Sequence, residues 1–310
     1  MTAYTSHDVP VRGGALRVGA WRSADGPTEP QRIVLAVHGI TSTHQVWPLV
    51  ADTLTRDPGV LVLAADLRGR GRSADLPGPW GMAQHAQDLA AVLQSLAPGK
   101  RCILTGHSMG GFVAVMLAAA RPDLVAGLVL VDGGVPLVLP PGWTLEAAAA
   151  VGLGPAADRL SMTFADRVAY QDFWRAHPAF AGAFTDTVAD YIDYDLRPDG
   201  PPWRSSCVSD AMANDLAEQF VGGPVDRVWP DLAVPVTFLR APRGLQDEPG
   251  GLYPEAGLDS FRVDHPDFHW RNVDDVNHYT ITLGQVGAAQ VGAAIAEQFE
   301  SLPTVMTHTG

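Results

Sequence analysis

The amino-acid sequence predicts an α/β fold with a mostly parallel, doubly wound sheet of eight strands. Short, continuous apolar runs of strand length alternate with segments in which apolar residues recur at helical spacing. The runs show little apolar–polar alternation, which indicates strands covered on both faces. Residues capable of chemistry follow the ends of several runs, and such sheets bind ligands at the carboxyl ends of their strands. We therefore expect the functional site at that edge.

Each element can be assigned from its own pattern. Strands are predicted at residues 9–11, 15–21, 32–37, 59–65, the first part of 101–111, 124–131, 234–240 and 269–273. Helices are predicted at residues 46–54, 82–96, 112–120 and 287–299. Gly13 and Gly14 join the first two strands into a hairpin at one edge of the sheet.

The pattern changes between residues 135 and 231, where proline- and glycine-rich stretches separate short amphipathic segments. A connection of this length is too long for a plain loop. We expect a helical cap here, inserted after the sixth strand between core segments 1–134 and 232–302, with a flexible tail at 303–310. Most of its aromatic residues are expected to hold the cap together, and a minority to line a cavity: Trp143, Phe164, Phe173, Trp174, Phe180 and Trp203.

Composition and charge argue against several classes of protein. The 310 residues, 46% of them hydrophobic, can bury a large core. A net charge of −13, without a basic run, disfavours nucleic acid and anionic membranes as partners. The sequence shows neither an export signal nor an apolar run near the roughly 20 residues of a membrane span. Cys102 and Cys207 make no disulfide framework. We expect a cytoplasmic protein that acts on a small molecule, with its oligomeric state left open.

Ser108 lies on a predicted turn between a buried strand and an alanine-rich helix. Its neighbours two positions away on either side are Gly106 and Gly110. A sharp strand-to-helix turn strains the backbone and leaves no room for side chains at these two positions. The turn also places the Met109 amide at a helix N-terminus, where a developing negative charge is stabilised. This pattern is typical of a nucleophilic serine.

The order of elements resembles the α/β-hydrolase superfamily with an inserted cap, over nearly the whole chain. The matching features are His38-Gly39 after the third strand, Asp66-x-Arg-Gly-x-Gly-x-Ser73 after the fourth, Gly106-His107-Ser108-Met109-Gly110 after the fifth, the cap and His278. The resemblance implies that Ser108 is the nucleophile and His278 its base, and that the Ile40 and Met109 amides form the oxyanion hole. In the Asp66 loop it implies a structural role for three charged residues, Asp66, Arg68 and Arg72.

The catalytic acid departs from the commonest pattern of this superfamily. That pattern places an aspartate after the seventh strand, but Gly244 stands at the matching position and Asp247 follows three residues later. Branches resembling haloalkane dehalogenases and zearalenone lactonases place the acid after the sixth strand, about 24 residues beyond the nucleophile, which is Asp132 here. We favour Asp132 and keep Asp247 as the alternative. Asp132 could also simply cap the strand end.

The resemblance implies a serine hydrolase, without cofactor or metal, that cleaves a carboxylic ester, lactone or thioester of a small, moderately apolar substrate through an acyl-enzyme. A serine nucleophile argues against epoxide hydrolase and dehalogenase chemistry, which needs a carboxylate. Two alternatives stay open. One is an acyltransferase or perhydrolase with the same triad, and the other is a ligand-binding receptor with little turnover.

Overall fold

A computed structural model of the protein describes residues 1–139, 141–144, 147 and 158–302. Its strands are β1 (Thr2–Val11), β2 (Gly14–Ser23), β3 (Arg32–Val37), β4 (Val60–Ala65), β5 (Cys102–His107), β6 (Val125–Val131), β7 (Val236–Arg240) and β8 (Phe268–Asn272). They form one sheet in the order β1-β2-β4-β3-β5-β6-β7-β8. Strand β2 runs antiparallel to β1 and β4, and the other neighbours are parallel. The predicted mostly parallel sheet of eight strands is confirmed.

Helices pack on both faces of the sheet. The described helices are α1 (Pro48–Leu54), α2 (Met82–Leu96), α3 (Met109–Ala120), α4 (Arg167–Arg175), α5 (Asp186–Asp195), α6 (Ser209–Ala217), α7 (Pro224–Val228), α8 (Glu255–Asp264), α9 (Thr280–Leu283) and α10 (Gln285–Ser301). Ile33 and Leu35 of β3 pack in the same cluster as α2 and α3, whereas Val34 packs with α1 and α10. Both faces are therefore buried, which explains the continuous apolar runs.

The first strand is longer than the sequence predicts. The apolar pattern indicates a strand only at 9–11, whereas β1 begins at Thr2 and pairs with β2 from Thr2↔Ser23 onward. Most side chains of β1 are exposed, so the sequence shows no apolar run that would indicate a strand there. Backbone pairing along the edge of the sheet defines this strand.

The segment between β6 and β7, which we propose as the cap, contains helices α4 to α7 in its described part. Three of the aromatic residues predicted to hold it together are buried, namely Phe164, Trp174 and Phe180, whereas Trp143 is 42% exposed. One of the proline- and glycine-rich stretches of this segment, at 152–155, and the predicted tail at 303–310 lie outside the described residues. In the part of the chain that is described, no helix combines the length and apolar character needed to cross a membrane.

Candidate active site

Ser108 occupies a strained turn at the carboxyl end of β5. Its backbone has φ +54° and ψ −126°, and its amide donates to the Val131 carbonyl at 2.9 Å. A Cβ at Gly106 would lie 2.2 Å from the Gly110 carbonyl oxygen, and one at Gly110 would lie 2.1 Å from that of Val37. The turn therefore leaves no space for side chains on either side of Ser108, as its sequence predicts.

The Gly110→Ala variant is expected to lose about 3 kcal/mol or more of unfolding free energy, because the added methyl group would overlap backbone that packing holds in place. The matched control is Gly257→Ala in α8, where an added Cβ would have no neighbour within 4 Å. The control should be neutral or more stable by up to about 1 kcal/mol. Urea denaturation of both variants measures the difference, and equal losses would contradict this account of the turn.

His278 and Asp132 lie in contact at the same edge of the sheet. Asp132 follows β6 and His278 follows β8, and the distance from His278 Nδ1 to Asp132 Oδ2 is 2.7 Å. The other carboxylate oxygen accepts the Ala241 amide at 3.1 Å. Because a carboxylate only accepts, Nδ1 of His278 carries a hydrogen and Nε2 is left as the basic nitrogen of the ring. Both side chains are buried.

Asp247, the alternative acid, contacts the residue before His278. Its Oδ1 accepts from Asn277 Nδ2 at 2.9 Å and from Arg243 Nε at 2.7 Å. Asn277 also donates to the Ala179 carbonyl and accepts from the Thr280 amide, at 2.8 and 2.9 Å. Sequence reasoning did not identify Asn277, whose only signal is its position beside His278. It anchors the loop that carries the imidazole.

Ser108 and His278 line one cavity of about 40 Å³. The other lining residues are Gly39, Ile40, Thr41, Ser42, Val46, His107, Tyr191, Leu245 and Tyr279. Among the described residues, the Ser108 hydroxyl forms no hydrogen bond, with His278 or with any other group. Catalytic hydrogen bonds are often long in free enzymes and tighten when substrate binds. None of the six aromatic residues named from the sequence lines this cavity; Tyr191 and Tyr279 do.

A larger cavity, of about 390 Å³, lies at the opposite edge of the sheet. It is lined by residues at the start of β7 and β8, among them Val236 and Phe268, and by Trp229. None of the predicted site residues reaches it. The smaller cavity at the carboxyl ends of the strands is therefore the candidate site, where parallel sheets usually bind ligands.

Two backbone amides beside the cavity are available to bind an anion. Ile40 follows β3 and lines the cavity, and Met109 is the first residue of α3. In the described ranges, neither amide donates a hydrogen bond to another group of the chain. The first amides of a helix have no intrahelical partner and carry a partial positive charge. These are the two amides that the resemblance assigns to the oxyanion hole.

Two buried histidines support the loops around the site as neutral rings. The Leu67 amide donates to Nε2 of His38, so the hydrogen of the neutral His38 ring is on Nδ1. This Nδ1 donates to the Gly39 carbonyl at 2.8 Å. Burial lowers the pKa of His38 to about 3. His107 Nε2 donates to the His278 carbonyl at 2.7 Å, and burial holds the pKa of His107 well below its ordinary value. At neutral pH these rings position backbone without adding charge.

The charged residues of the loop after β4 contact neighbouring segments of the chain and do not line the cavity. Asp66 accepts from His44 Nδ1 and from the Arg72 amide, at 2.7 and 2.8 Å. Arg68 donates to both oxygens of Asp88 at 3.0 Å. These contacts join the loop to the segment before α1 and to α2, and they agree with the structural role implied by the resemblance. No group of three or more His, Cys, Asp or Glu in the described ranges is arranged to hold a metal ion.

Comparison with known protein sequences finds hydrolases. The sequence profile of a family described as serine aminopeptidase, S33, matches residues 28–169. Lipase LipV from Mycobacterium tuberculosis is 44% identical over 112 residues, which cover 36% of this chain and 41% of the lipase. Esterase Rv0045c from the same organism is 38% identical over 123 residues, or 39% of this chain and 38% of the esterase. The matches span about two fifths of the length of these relatives.

Comparison of folds covers almost the whole chain. The thioesterase domain from the curacin biosynthetic pathway has a TM-score of 0.72 at 21% identity, covering 95% of this chain and 99% of that domain. E-2-(acetamidomethylene)succinate hydrolase also has a TM-score of 0.72, at 23% identity, covering 96% of this chain and all of that one. Together, the sheet order, the serine turn after β5 and these similarities show that the chain has an α/β-hydrolase fold.

Proposed function

We propose that this protein is a serine hydrolase that cleaves a carboxylic ester, lactone or thioester of a small, moderately apolar molecule through an acyl-enzyme. The observation that carries the proposal is the 2.7 Å contact between His278 Nδ1 and Asp132 Oδ2, since His278 lines the same cavity as Ser108. A serine hydroxyl is a weak nucleophile until a neighbouring base takes its proton, and the base must be held in the correct tautomer. These three residues supply those functions.

In the proposed reaction, the Ser108 oxygen attacks the acyl carbon while His278 Nε2 takes its proton. Asp132 holds the ring and stabilises the imidazolium that forms. The amides of Ile40 and Met109 donate to the oxyanion of the tetrahedral intermediate. His278 then protonates the leaving alcohol or thiol, which departs from the acyl-enzyme. A water molecule, deprotonated by the same imidazole, releases the acid and restores Ser108.

The walls of the cavity indicate the size and polarity of the group that binds. Ile40, Val46 and Leu245 provide apolar surface, whereas the Tyr191 hydroxyl donates to Ser42 Oγ at 3.1 Å. Because the cavity measures only about 40 Å³, we infer that it takes a short acyl group more readily than a long chain. Names of similar proteins agree with acyl chemistry, since they include a lipase, an esterase and a thioesterase domain.

Trapping the acyl-enzyme tests the proposal most directly. The protein is mixed with p-nitrophenyl acetate, butyrate and octanoate, with a panel of lactones and with an acetyl thioester, and turnover is measured. Samples quenched in acid are digested and analysed by mass spectrometry. We expect the short esters to react fastest and the acyl mass to be found on the peptide that contains Ser108.

Two outcomes would reject or change the proposal. An acyl mass on a different residue would assign the nucleophile elsewhere. Binding of panel compounds without turnover, measured by calorimetry, would favour the ligand-binding receptor. Adding methanol or hydrogen peroxide to the reaction separates hydrolysis from transfer, because an acyltransferase or perhydrolase would give mainly the methyl ester or the peracid.

A further inference from the structure

Arg70 fills an unspecified position in the Asp66-x-Arg-Gly-x-Gly-x-Ser73 loop, yet it is fully buried and contacts both residues of the proposed oxyanion hole. Its Nε donates to the Ile40 carbonyl at 3.0 Å. Its Nη2 lies 3.9 Å from the Sδ atom of Met109. One guanidinium group therefore contacts the Ile40 backbone and the Met109 side chain, in the two residues whose amides would donate to the oxyanion.

A carboxylate from the proposed cap balances this buried charge. Arg70 Nη1 donates to Asp215 Oδ2 and, at 3.0 Å, to the Arg68 carbonyl. Asp215 lies in α6 and also accepts from the Gly81 amide and His85 Nε2, at 2.7 and 2.9 Å. Burial raises the pKa of Asp215, but Arg70 and His85 outweigh it and leave the pKa lowered to about 2. Asp215 is thus ionised at neutral pH.

The contacts of the oxyanion loop leave the Ile40 amide little freedom to turn. Because a peptide unit is planar, the direction of the Ile40 N–H follows from that of the Gly39 carbonyl in the same unit. Fixing the Ile40 carbonyl in the next unit restricts the torsion between the two units. The Gly39 carbonyl accepts from His38 and the Ile40 carbonyl accepts from Arg70, at 2.8 and 3.0 Å. The next carbonyl, that of Thr41, accepts from buried Arg159 at 3.1 Å. Donors to an oxyanion are effective because they are aligned before the reaction begins.

We propose that Arg70 is a positioning residue for acyl transfer, which aligns the loop that carries the Ile40 amide, packs against the Met109 side chain and is itself held by Asp215 of the proposed cap. The inference rests on the proposed function. A guanidinium suits this role because its five donors diverge in a rigid plane and reach several acceptors at once. A lysine ammonium has the charge without that geometry.

The test separates positioning from stability. Arg70→Met removes every contact but leaves Asp215 without its cation, which destabilises the fold. The double variant Arg70→Met/Asp215→Asn also removes the unpaired charge, so part of the stability should return. We measure kcat and KM for p-nitrophenyl acetate, the inhibition constant of a trifluoromethyl ketone that forms a tetrahedral adduct with the serine, and stability in urea.

Both variants are expected to show kcat lower by about 10- to 100-fold, because a misaligned donor loses part of the 10²- to 10³-fold that one oxyanion contact contributes. KM should change by less than about threefold, and ketone binding should weaken in step with kcat/KM. Arg70→Lys should recover at most part of the rate. The matched control is Arg72→Met, whose guanidinium donates to the Leu196 carbonyl at 3.0 Å and does not touch the oxyanion loop; it should keep the wild-type kcat within about twofold.

Recovery of kcat together with stability in the double variant would overturn the inference, because Arg70 would then be structural only. A change in KM alone, or equal losses in the Arg72→Met control, would also overturn it. If Arg70→Met does not fold, the double variant and Arg70→Lys decide the question. The proposed function fails separately, when the wild-type protein forms no acyl adduct on Ser108.

Discussion

Replacing Ser108 with alanine is expected to lower kcat toward esters by about 10⁴- to 10⁶-fold. Alanine can occupy the same turn at φ +54° with a smaller side chain. The change therefore removes the hydroxyl and leaves the turn in place. The remaining activity would come from the oxyanion donors and substrate binding, which still act on attack by water. Stopped-flow and long-time assays of p-nitrophenyl acetate hydrolysis measure the residual rate.

The control for this variant is a buried serine that lies outside the cavity. Ser73 Oγ accepts the Arg17 amide at 2.9 Å. Ser73→Ala should lose about 1 kcal/mol of stability and keep kcat within about twofold. Circular dichroism and thermal unfolding should show that Ser108→Ala is folded. A Ser108→Ala protein that hydrolyses esters at the wild-type rate would remove Ser108 from the mechanism.

Replacing Asp132 with asparagine is expected to lower kcat by about 10³- to 10⁴-fold, the second-largest effect. Asparagine keeps the size of the side chain but removes the charge that stabilises the imidazolium. Its amide can also donate to Nδ1 of His278, which would then carry its hydrogen on Nε2 and be unable to take the serine proton. The pH dependence of kcat and an NMR assignment of the His278 tautomer check this explanation.

Asp247→Asn is the matched comparison, because Asp247 is the other acid that the sequence allows. It accepts from Asn277 and Arg243 rather than from His278. Asparagine can still accept from Asn277 through its oxygen, so kcat should fall by no more than about tenfold. A loss of 10³-fold in Asp247→Asn, with little change in Asp132→Asn, would reverse the assignment of the acid.

Most of the sheet was predictable from the sequence, because strands buried on both faces are continuous runs of apolar residues. The choice between Asp132 and Asp247 was not predictable from the residues alone. They follow β6 and β7, which are neighbours in the sheet, so both loops reach the same edge. The side-chain distances favour Asp132, whose Oδ2 lies 2.7 Å from the His278 ring.

Contacts between distant parts of the chain could not be predicted at all. Asp215 pairs with Arg70 although 145 positions separate them, and the hydroxyl of Tyr191 meets Ser42 across 149. Such pairs leave no periodic pattern and depend on how the segment between β6 and β7 packs against the loops below it. Asn277 is similar, because its importance lies in the contacts of one amide group.

The Arg70–Asp215 pair limits how this fold can diversify. In a chimaera, the segment between β6 and β7 would be replaced by a foreign one. The buried Arg70 guanidinium would then have no carboxylate partner, unless the new segment supplied one. Specificity and turnover would then change together, even when every residue that touches the substrate had been chosen well. A recombined protein therefore needs both Arg70 and Asp215, or an equivalent ion pair.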